Sequence, residues 1–260
     1  MNNPFLVSII TVCYNSENTI KDTIESVLNQ TYPHIEYIVI DGNSKDQTLN
    51  IIKSYEREFK EKSILFKWIS EPDKGIYDAM NKGLKMASGE LIGILNSDDW
   101  YAINTVSEII EIGHREDFCV ISGKKTKVDA NKNVKQTVQN KKNIKKYIYK
   151  TMPLNHPATF AHKNVYKQIG DFNTDYRLSA DYDLIFRAFN AKAKFIFTDE
   201  VLVYMRNTGA THQIKNLFVT AREDLLIRKS NDVKLAYFYY LKRITFNILV
   251  IFRNILRTLF

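Results

Sequence analysis

The chain has 260 residues, of which 45% are hydrophobic and 25% charged, with a net charge of +8 and two cysteines. This is the balance of a globular protein with one sizeable core, in one large domain or one domain plus an appendage. Two cysteines in apolar runs, Cys13 and Cys119, exclude a disulfide framework and read as buried thiols of a reducing compartment.

Val7 to Val12 is a β-rich run ended by Tyr14-Asn15. Ile20, Ile24, Val27 and Leu28 then recur at helical spacing. Ile35 to Ile40 is a second strand, closed by Asp41-Gly42-Asn43-Ser44, and Ser44 with Gln47 resembles a capping box opening a helix through about Phe59. Ile64 to Ile69 is a third strand, Glu71 to Gly75 a loop, Ile76 to Ala87 a helix and Leu91 to Leu95 a fourth strand. Strands alternating with helices predict an α/β fold with a mostly parallel, Rossmann-like central sheet covered on both faces. Beyond Asp99, Val106 to Ile112 reads as a helix and Phe118 to Ile121 as a strand.

Four polar segments each follow a strand: Tyr14-Asn15, Asp41, Asp73-Lys74 and Asp98-Asp99. In open α/β sheets ligands sit beyond the carboxyl ends of the strands, so these segments are expected on one rim. The pair Asp98-Asp99 is the most telling, because adjacent carboxylates at the end of an apolar strand repel. A hard divalent cation turns that repulsion into attraction and is usually shared with substrate phosphates. The competing reading is a polar turn with Asp99 capping a helix.

Residues 124–146 hold nine lysines and one aspartate, and residues 213–260 hold nine Lys/Arg and three acids, so the rest of the chain is net acidic. The first stretch reads as a solvated excursion, hairpin or mobile loop. Aromatic side chains for base stacking are absent from it until Tyr147, which argues against nucleic acid as a partner. From Leu235 the chain is aromatic and aliphatic with Lys242, Arg243, Arg253 and Arg257 on one stripe, and Ile244 to Phe252, its longest charge-free run, is far short of a bilayer span. A basic amphipathic helix lying in a membrane interface fits this pattern; a helix packed on the domain's own core or on a partner subunit fits it too. The start, Met1-Asn2-Asn3-Pro4, leads into no long apolar stretch, so a signal peptide is not expected.

Several motifs together resemble the family 2 glycosyltransferases with the GT-A fold, of the type that builds bacterial cell-surface glycans. They are Val-Ser-Ile-Ile-Thr-Val-Cys-Tyr-Asn at 7–15, Ile-Val-Ile-Asp-Gly-Asn-Ser-Lys-Asp at 38–46, Glu-Pro-Asp-Lys-Gly-Ile-Tyr-Asp-Ala-Met-Asn-Lys-Gly at 71–83, Leu-Asn-Ser-Asp-Asp at 95–99 and Ser-Ala-Asp-Tyr-Asp-Leu at 179–184. The resemblance covers roughly residues 5–210. It implies a nucleotide-diphospho-sugar donor, UDP-sugar favoured, and transfer to a hydroxyl of a glycan or lipid-linked acceptor. By analogy Asp41 meets the base, Thr11, Tyr14, Asn15 and Asn96 belong to the donor pocket, and Asp98 lies near the ribose. Asp99 would hold Mg²⁺ or Mn²⁺, and Lys74 and Asn81 would lie along the sugar–phosphate path. Asp181 matches the family's general base, with Ala180 where a first acid is usual; its structural alternative is an N-cap. His156 is a candidate for the acceptor or diphosphate, and His212 for a late phosphate or metal contact.

The expected organisation is a catalytic domain over 1–212, split into a nucleotide-sugar half (1–123) and an acceptor half (124–212), followed by basic amphipathic helices over 213–260. The expected location is cytoplasmic, peripheral on the inner face of the cell membrane, with homo-oligomerisation open. A nucleotidyltransferase shares the sheet and the metal acids but lacks its glycine-rich phosphate loop here. A catalytically silent membrane-associated scaffold is the other alternative.

Overall fold

A computed structural model of the chain describes residues 5–206 and 214–259. The amino-terminal half is β1 (Val7–Cys13), α1 (Ile20–Leu28), β2 (Ile35–Asp41), α2 (Thr48–Ser54), α3 (Glu56–Glu61), β3 (Leu65–Ser70), α4 (Ile76–Met86) and β4 (Leu91–Asn96). After it come β5 (Trp100–Tyr101), α5 (Thr105–Gly113), β6 (Cys119–Val128), β7 (Val134–Val138), α6 (Ile144–Tyr147) and a 3₁₀ turn at His156–Ala158. The chain continues through β8 (Thr159–His162), α7 (Lys163–Ile169), α8 (Ala180–Asn190), β9 (Lys194–Arg206), α9 (Ile214–Ser230) and α10 (Ala236–Leu259).

The strands form one sheet in the order β3-β2-β1-β4-β8-β6-β9-β5, with β7 paired to β6. The block β3-β2-β1-β4 is parallel throughout. Every residue of β1 and β2 is buried, as expected of apolar strands covered on both faces. Alternate residues feed two layers. Ile9, Tyr37 and Val39 meet α1, α2, α3 and α5 through Ile24, Ile52, Phe59 and Ile109. Ile10, Ile38 and Ile40 meet α4 and α8 through Met80, Leu84, Ala180 and Leu184. Beyond β4 the sheet is mixed: β8 runs antiparallel to both β4 and β6, whereas β9 is parallel to β6.

Two local expectations change, and the lysine-rich stretch takes the hairpin form that is one of those expected of it. The capping box does not form, because Ser44 turns its hydroxyl to Asp41 and its backbone N–H to the same carboxylate; Asp46 Oδ1 accepts the Thr48 N–H instead, at 3.0 Å. The helix expected through Phe59 is two helices joined at Tyr55. The lysine-rich excursion is largely a β-hairpin, β6–β7, whose turn is closed by Asp129 Oδ1 accepting the backbone N–H groups of Asn131 and Asn133. Both cysteines are free and buried, as the sequence suggests.

The carboxyl-terminal helices dock on the segments around 149–150 and 177–178. Glu223 of α9 accepts the backbone N–H groups of Arg177 and Leu178 at 2.7 and 2.9 Å, gripping the loop that leads into α8. Arg228, 1% exposed, donates to the carbonyls of Tyr149 and Lys150. Asn247 of α10 donates to the Leu217 carbonyl of α9.

Candidate active site

The carboxyl ends of β1, β4, β6 and β9 open into one cleft of about 1750 Å³, larger than the 300–1,000 Å³ of an ordinary small-molecule pocket and roomy enough for two substrates. Its walls carry Tyr14, Asn15, Lys74, Asn96, Asp98, Asp99, His156 and Asp181, so residues from 14 to 181 converge on one rim.

One end is built from the loops after β1, β2 and β3. Asn15 adopts φ 49°, a left-handed conformation that asparagine tolerates, and stitches two loops: its N–H donates to Ser44 Oγ and its Oδ1 accepts from Lys45 N, each at 2.8 Å. Tyr14 is left 60% exposed as an open aromatic face. Gly42 lies beside it, and a Cβ there would stand 2.4 Å from Asp73 Oδ2, so a larger residue would have to push the Asp73 carboxylate aside. Lys74 is exposed on that loop, its N–H bonded to Asp78.

Asp41 itself is fully buried. Its carboxylate accepts from Ser44 N–H and hydroxyl and from Ser70 Oγ at 2.6 Å, which makes it the brace of this rim, and it is not among the cleft-lining residues. Two other expected donor residues lie off the cleft. Thr11 points into the sheet, accepting from the Tyr37 hydroxyl. Asn81 is spent on Phe172, donating to its carbonyl at 2.8 Å and accepting its N–H at 2.9 Å. Each sits where strand and helix periodicity put it, facing the interior rather than the rim.

The acidic centre is Asn96-Ser97-Asp98-Asp99. Asp99 caps no helix: β5 follows it, and its Oδ1 accepts the Arg206 backbone N–H at 3.2 Å. It is 1% exposed; burial and then the Asp98 charge push its carboxyl well above the usual range, against the Arg206 N–H, Asn96 and Lys125. Asn96 Nδ2 stands 3.4 Å from Asp99 Oδ2, while Asn96 Oδ1 is buried with no hydrogen-bond partner. Two carboxylates beside an orphaned amide oxygen are an all-oxygen donor set, which suits a hard cation that takes its remaining ligands from phosphates and water. Among the described residues no group of three or more His, Cys, Asp or Glu surrounds a common point, so a cation here draws on few protein ligands.

Arg206, which the sequence reading passed over, locks this centre. Its Nη1 donates to the Asp98 carbonyl at 2.7 Å, its Nη2 pairs with Asp22 of α1, and its guanidinium lies 4.6 Å from the Trp100 ring centroid. Asp22 also pairs with Lys132 at the hairpin tip. Burial pushes the Asp22 carboxyl up, but the bonds from Lys132 and Arg206 outweigh it and hold it low. A lone cation closing the apolar strand 201–206 was the available signal.

At the other end, Asp181 stands in the first turn of α8, whose N-cap is Ser179. Asp181 Oδ1 accepts from its neighbour's N–H, Tyr182, at 2.9 Å and from the Tyr77 hydroxyl at 3.3 Å. Asp183 turns away and is tied to Arg187 at 2.8 Å. Ala180, in the place of the missing acid, is fully buried in the core. Lys125 of β6 feels both Asp99 and Asp181, which oppose the lowering of its pKa by burial and Lys127. His156 packs edge-on to Phe172; burial lowers its pKa, Asp181 opposes this, and its Nε2 has no partner. His212 lies outside the described residues.

A family model described as glycosyl transferase family 2 matches residues 8–170. An uncharacterised glycosyltransferase of Mycobacterium tuberculosis is 30% identical over 194 residues, covering 70% of this chain and 68% of that protein. A putative teichuronic acid biosynthesis glycosyltransferase of Bacillus subtilis, TuaG, is 36% identical over 106 residues, 41% of each chain. Among solved structures, Staphylococcus aureus TarS (residues 1–349) superposes with a TM-score of 0.66 at 21% identity, covering 85% of this chain and 64% of that one. The mannosyltransferase PcManGT of Pyrobaculum calidifontis, solved with GDP-Man and Mn²⁺, gives 0.66 at 17%, covering 90% and 65%. At these identities the structures share the fold, and the chain spans less than two thirds of either solved protein.

Proposed function

Because the chain belongs to glycosyl transferase family 2, and is therefore a glycosyltransferase, we propose that it moves a sugar from a nucleotide-diphospho-sugar, UDP-sugar favoured, to a hydroxyl of a glycan or lipid-linked acceptor. The observation that carries this reading is one cleft holding an oxygen-rich acidic pair at one end and Asp181 at the other, with Lys125 acting on both. TarS has been solved with UDP and with UDP-GlcNAc, which supports the preference for uridine.

The donor's base lies against Tyr14 over the Gly42 turn, with Asp41 bracing the rim from beneath. Asp98 and Asp99 face the diphosphate. Bound Mg²⁺ or Mn²⁺ there supplies charge neutralisation for the leaving diphosphate. Lys74 adds a positive charge along the same path. Asp181 accepts the acceptor hydroxyl's proton: Tyr77 and the Tyr182 N–H hold its Oδ1, which leaves Oδ2 for the incoming hydroxyl. With one carboxylate opposite the leaving group, the course proposed is a single displacement with inversion, the stereochemistry that the family resemblance implies.

The outward face of α10 carries Tyr237, Phe238, Leu241, Ile248 and Leu249, each more than half exposed, with Lys242 beside them and Lys234 just before the helix. Among the described residues no helix is long and apolar enough to cross a membrane. Apolar exposure flanked by lysines fits an anionic lipid surface. The expected site of action is the inner face of the cell membrane. Flotation with anionic liposomes should be lost on Tyr237→Ser/Leu241→Ser/Leu249→Ser; flotation unchanged by these substitutions refutes the membrane surface, and sedimentation of the same variants shows whether a second copy covers the face instead.

The central test is donor binding and transfer. UDP-GlcNAc with Mn²⁺ should raise the unfolding midpoint by mass action and be slowly hydrolysed. Asp181→Asn should retain donor binding and lose transfer by about 10²–10⁴-fold. Turnover near that of the unaltered protein removes Asp181 from the mechanism.

A further inference from the structure

Tyr77 and Asn81 stand four positions apart on α4 and therefore share a face. That face meets Phe172, in the loop between α7 and α8 that leads to Asp181. Asn81 is bonded to both the carbonyl and the N–H of Phe172. The Tyr77 and Phe172 rings stack with centroids 5.5 Å apart and planes inclined by 24°, and both residues are buried. His156 packs against the edge of the same Phe172 ring. Near its other end this loop is gripped by Glu223 through the N–H groups of Arg177 and Leu178. The segment that presents Asp181 is thus pinned from α4 at its start and from α9 at its finish.

The Tyr77 ring could stack on Phe172 without its hydroxyl, and a phenol oxygen in a largely buried place is costly unless it has a partner. Among the described residues its one partner is Asp181, whose Oδ1 accepts at 3.3 Å. Burial, and then the Asp181 charge, pushes the Tyr77 hydroxyl well above its ordinary value, so it keeps its proton and remains the donor. Lys125, His156 and Asp224 feel the Asp181 charge, but among the described residues none of them is hydrogen-bonded to it. Ala180 lies in the core and Asp183 is tied to Arg187, so neither chain neighbour orients the carboxylate. We propose that Tyr77 and Asn81 are positioning residues for the base: Asn81 fixes Phe172, Phe172 fixes the Tyr77 ring, and the Tyr77 hydroxyl sets the rotation of the Asp181 carboxyl so that Oδ2 meets the nucleophile. The inference rests on the glycosyltransferase reading with Asp181 as proton acceptor. It gives the stretch 75–83 a task apart from donor binding, since its helix serves the proton transfer. Misplacing a catalytic group by about 1 Å can cost about 10²-fold in rate, so residues one step behind the reacting atoms can govern it.

The test follows hydrolysis of radiolabelled UDP-GlcNAc by the full chain with Mn²⁺, water standing in for the acceptor, so that the slow rate of the Asp181→Asn protein is measurable. Tyr77→Phe keeps the stack on Phe172 and removes only the hydroxyl. It should lower kcat about tenfold or more while leaving the UDP dissociation constant and the unfolding midpoint unchanged. Asn81→Leu, read at a temperature where it is folded, should lower kcat in the same way. On the Asp181→Asn background neither substitution should reduce the remaining rate further, because both act through that carboxylate. An unchanged kcat in Tyr77→Phe overturns the proposal. So does an equal further loss on the Asp181→Asn background, which is what a merely structural hydroxyl would give, and so does a fall in UDP affinity that matches the fall in rate. Two results bear instead on the reading beneath it: Asp181→Asn working at full rate removes the base itself, and failure of UDP and Mn²⁺ to bind removes the UDP-sugar donor.

Discussion

Replacing Arg206 by methionine keeps most of the apolar stem and removes the charge, which isolates what the guanidinium does. Its side chain is 8% exposed and that of Asp22 is 26% exposed, so screening by water is limited. Two charge-assisted hydrogen bonds, to the Asp98 carbonyl and to Asp22, are worth about 1.5–3 kcal/mol each, and the stack on Trp100 about 1 kcal/mol. Lys132 still neutralises Asp22 after the substitution, which brings the expected loss to about 3 kcal/mol, the low end for breaking a buried pair. For a chain of this size that is a fall of roughly 6–12 °C in unfolding midpoint. The functional effect should be separable: with the Asp98 carbonyl released, Mn²⁺-dependent UDP binding should weaken about tenfold or more at temperatures where the variant is folded. Denaturant unfolding and calorimetric titration measure the two quantities. A loss below about 1 kcal/mol together with unchanged UDP affinity would refute the claim that Arg206 fixes the acidic pair.

Asp99→Asn should abolish the stabilisation that Mn²⁺ adds in the presence of UDP while leaving the metal-free protein folded, as read by thermal shift with and without EDTA. Asn81→Leu removes a two-way clamp on Phe172 and should cost about 2 kcal/mol with no change in UDP affinity; a large affinity loss at unchanged stability would return Asn81 to the donor path. Burial pushes the Asp224 carboxyl up from 3.8 to about 6, against the attraction of Arg228 and Arg243. A raised carboxyl favours the protonated folded state, so the penalty is absent below 3.8, grows as pH rises to about 6 and is then constant. Asp224→Asn should therefore raise stability at pH 7, by on the order of 3 kcal/mol at most, and flatten the profile between pH 4 and 6. An unaltered slope shows that Arg228 and Arg243 keep the carboxylate ionised throughout.

The parallel half of the sheet was readable because buried strands and amphipathic helices alternate there with little interruption, and their ends point one way. That polarity sufficed to place Tyr14, Asn15, Lys74, Asp98 and Asp99 on a single rim. Asp41 and Asn81 carry the same motif signal as their neighbours, yet whether a carboxylate faces a ligand or two serines depends on loop packing that no residue spacing encodes. Asp181 lines the cleft while Asp183 is tied to Arg187, the divergence expected of helix positions two apart, which do not share a face. Arg206 and Lys125 were missed for a common reason. Each acts across a long sequence separation, on Asp98 and Asp181 respectively, and neither lies in a local motif. The lysine-rich segment shows the same limit: a hairpin was among its expected forms, but composition does not tell that the pairing turns Lys125 and Lys127 toward the cleft.

Glu223 has a practical consequence. Deleting the last two helices would also release the backbone leading into the helix that carries Asp181, the proposed proton acceptor, so a shortened protein that fails to turn over says nothing about lipid attachment. The proposed lipid-facing surface and the proposed base are coupled through Glu223, and only point changes on the outer surface can tell one from the other.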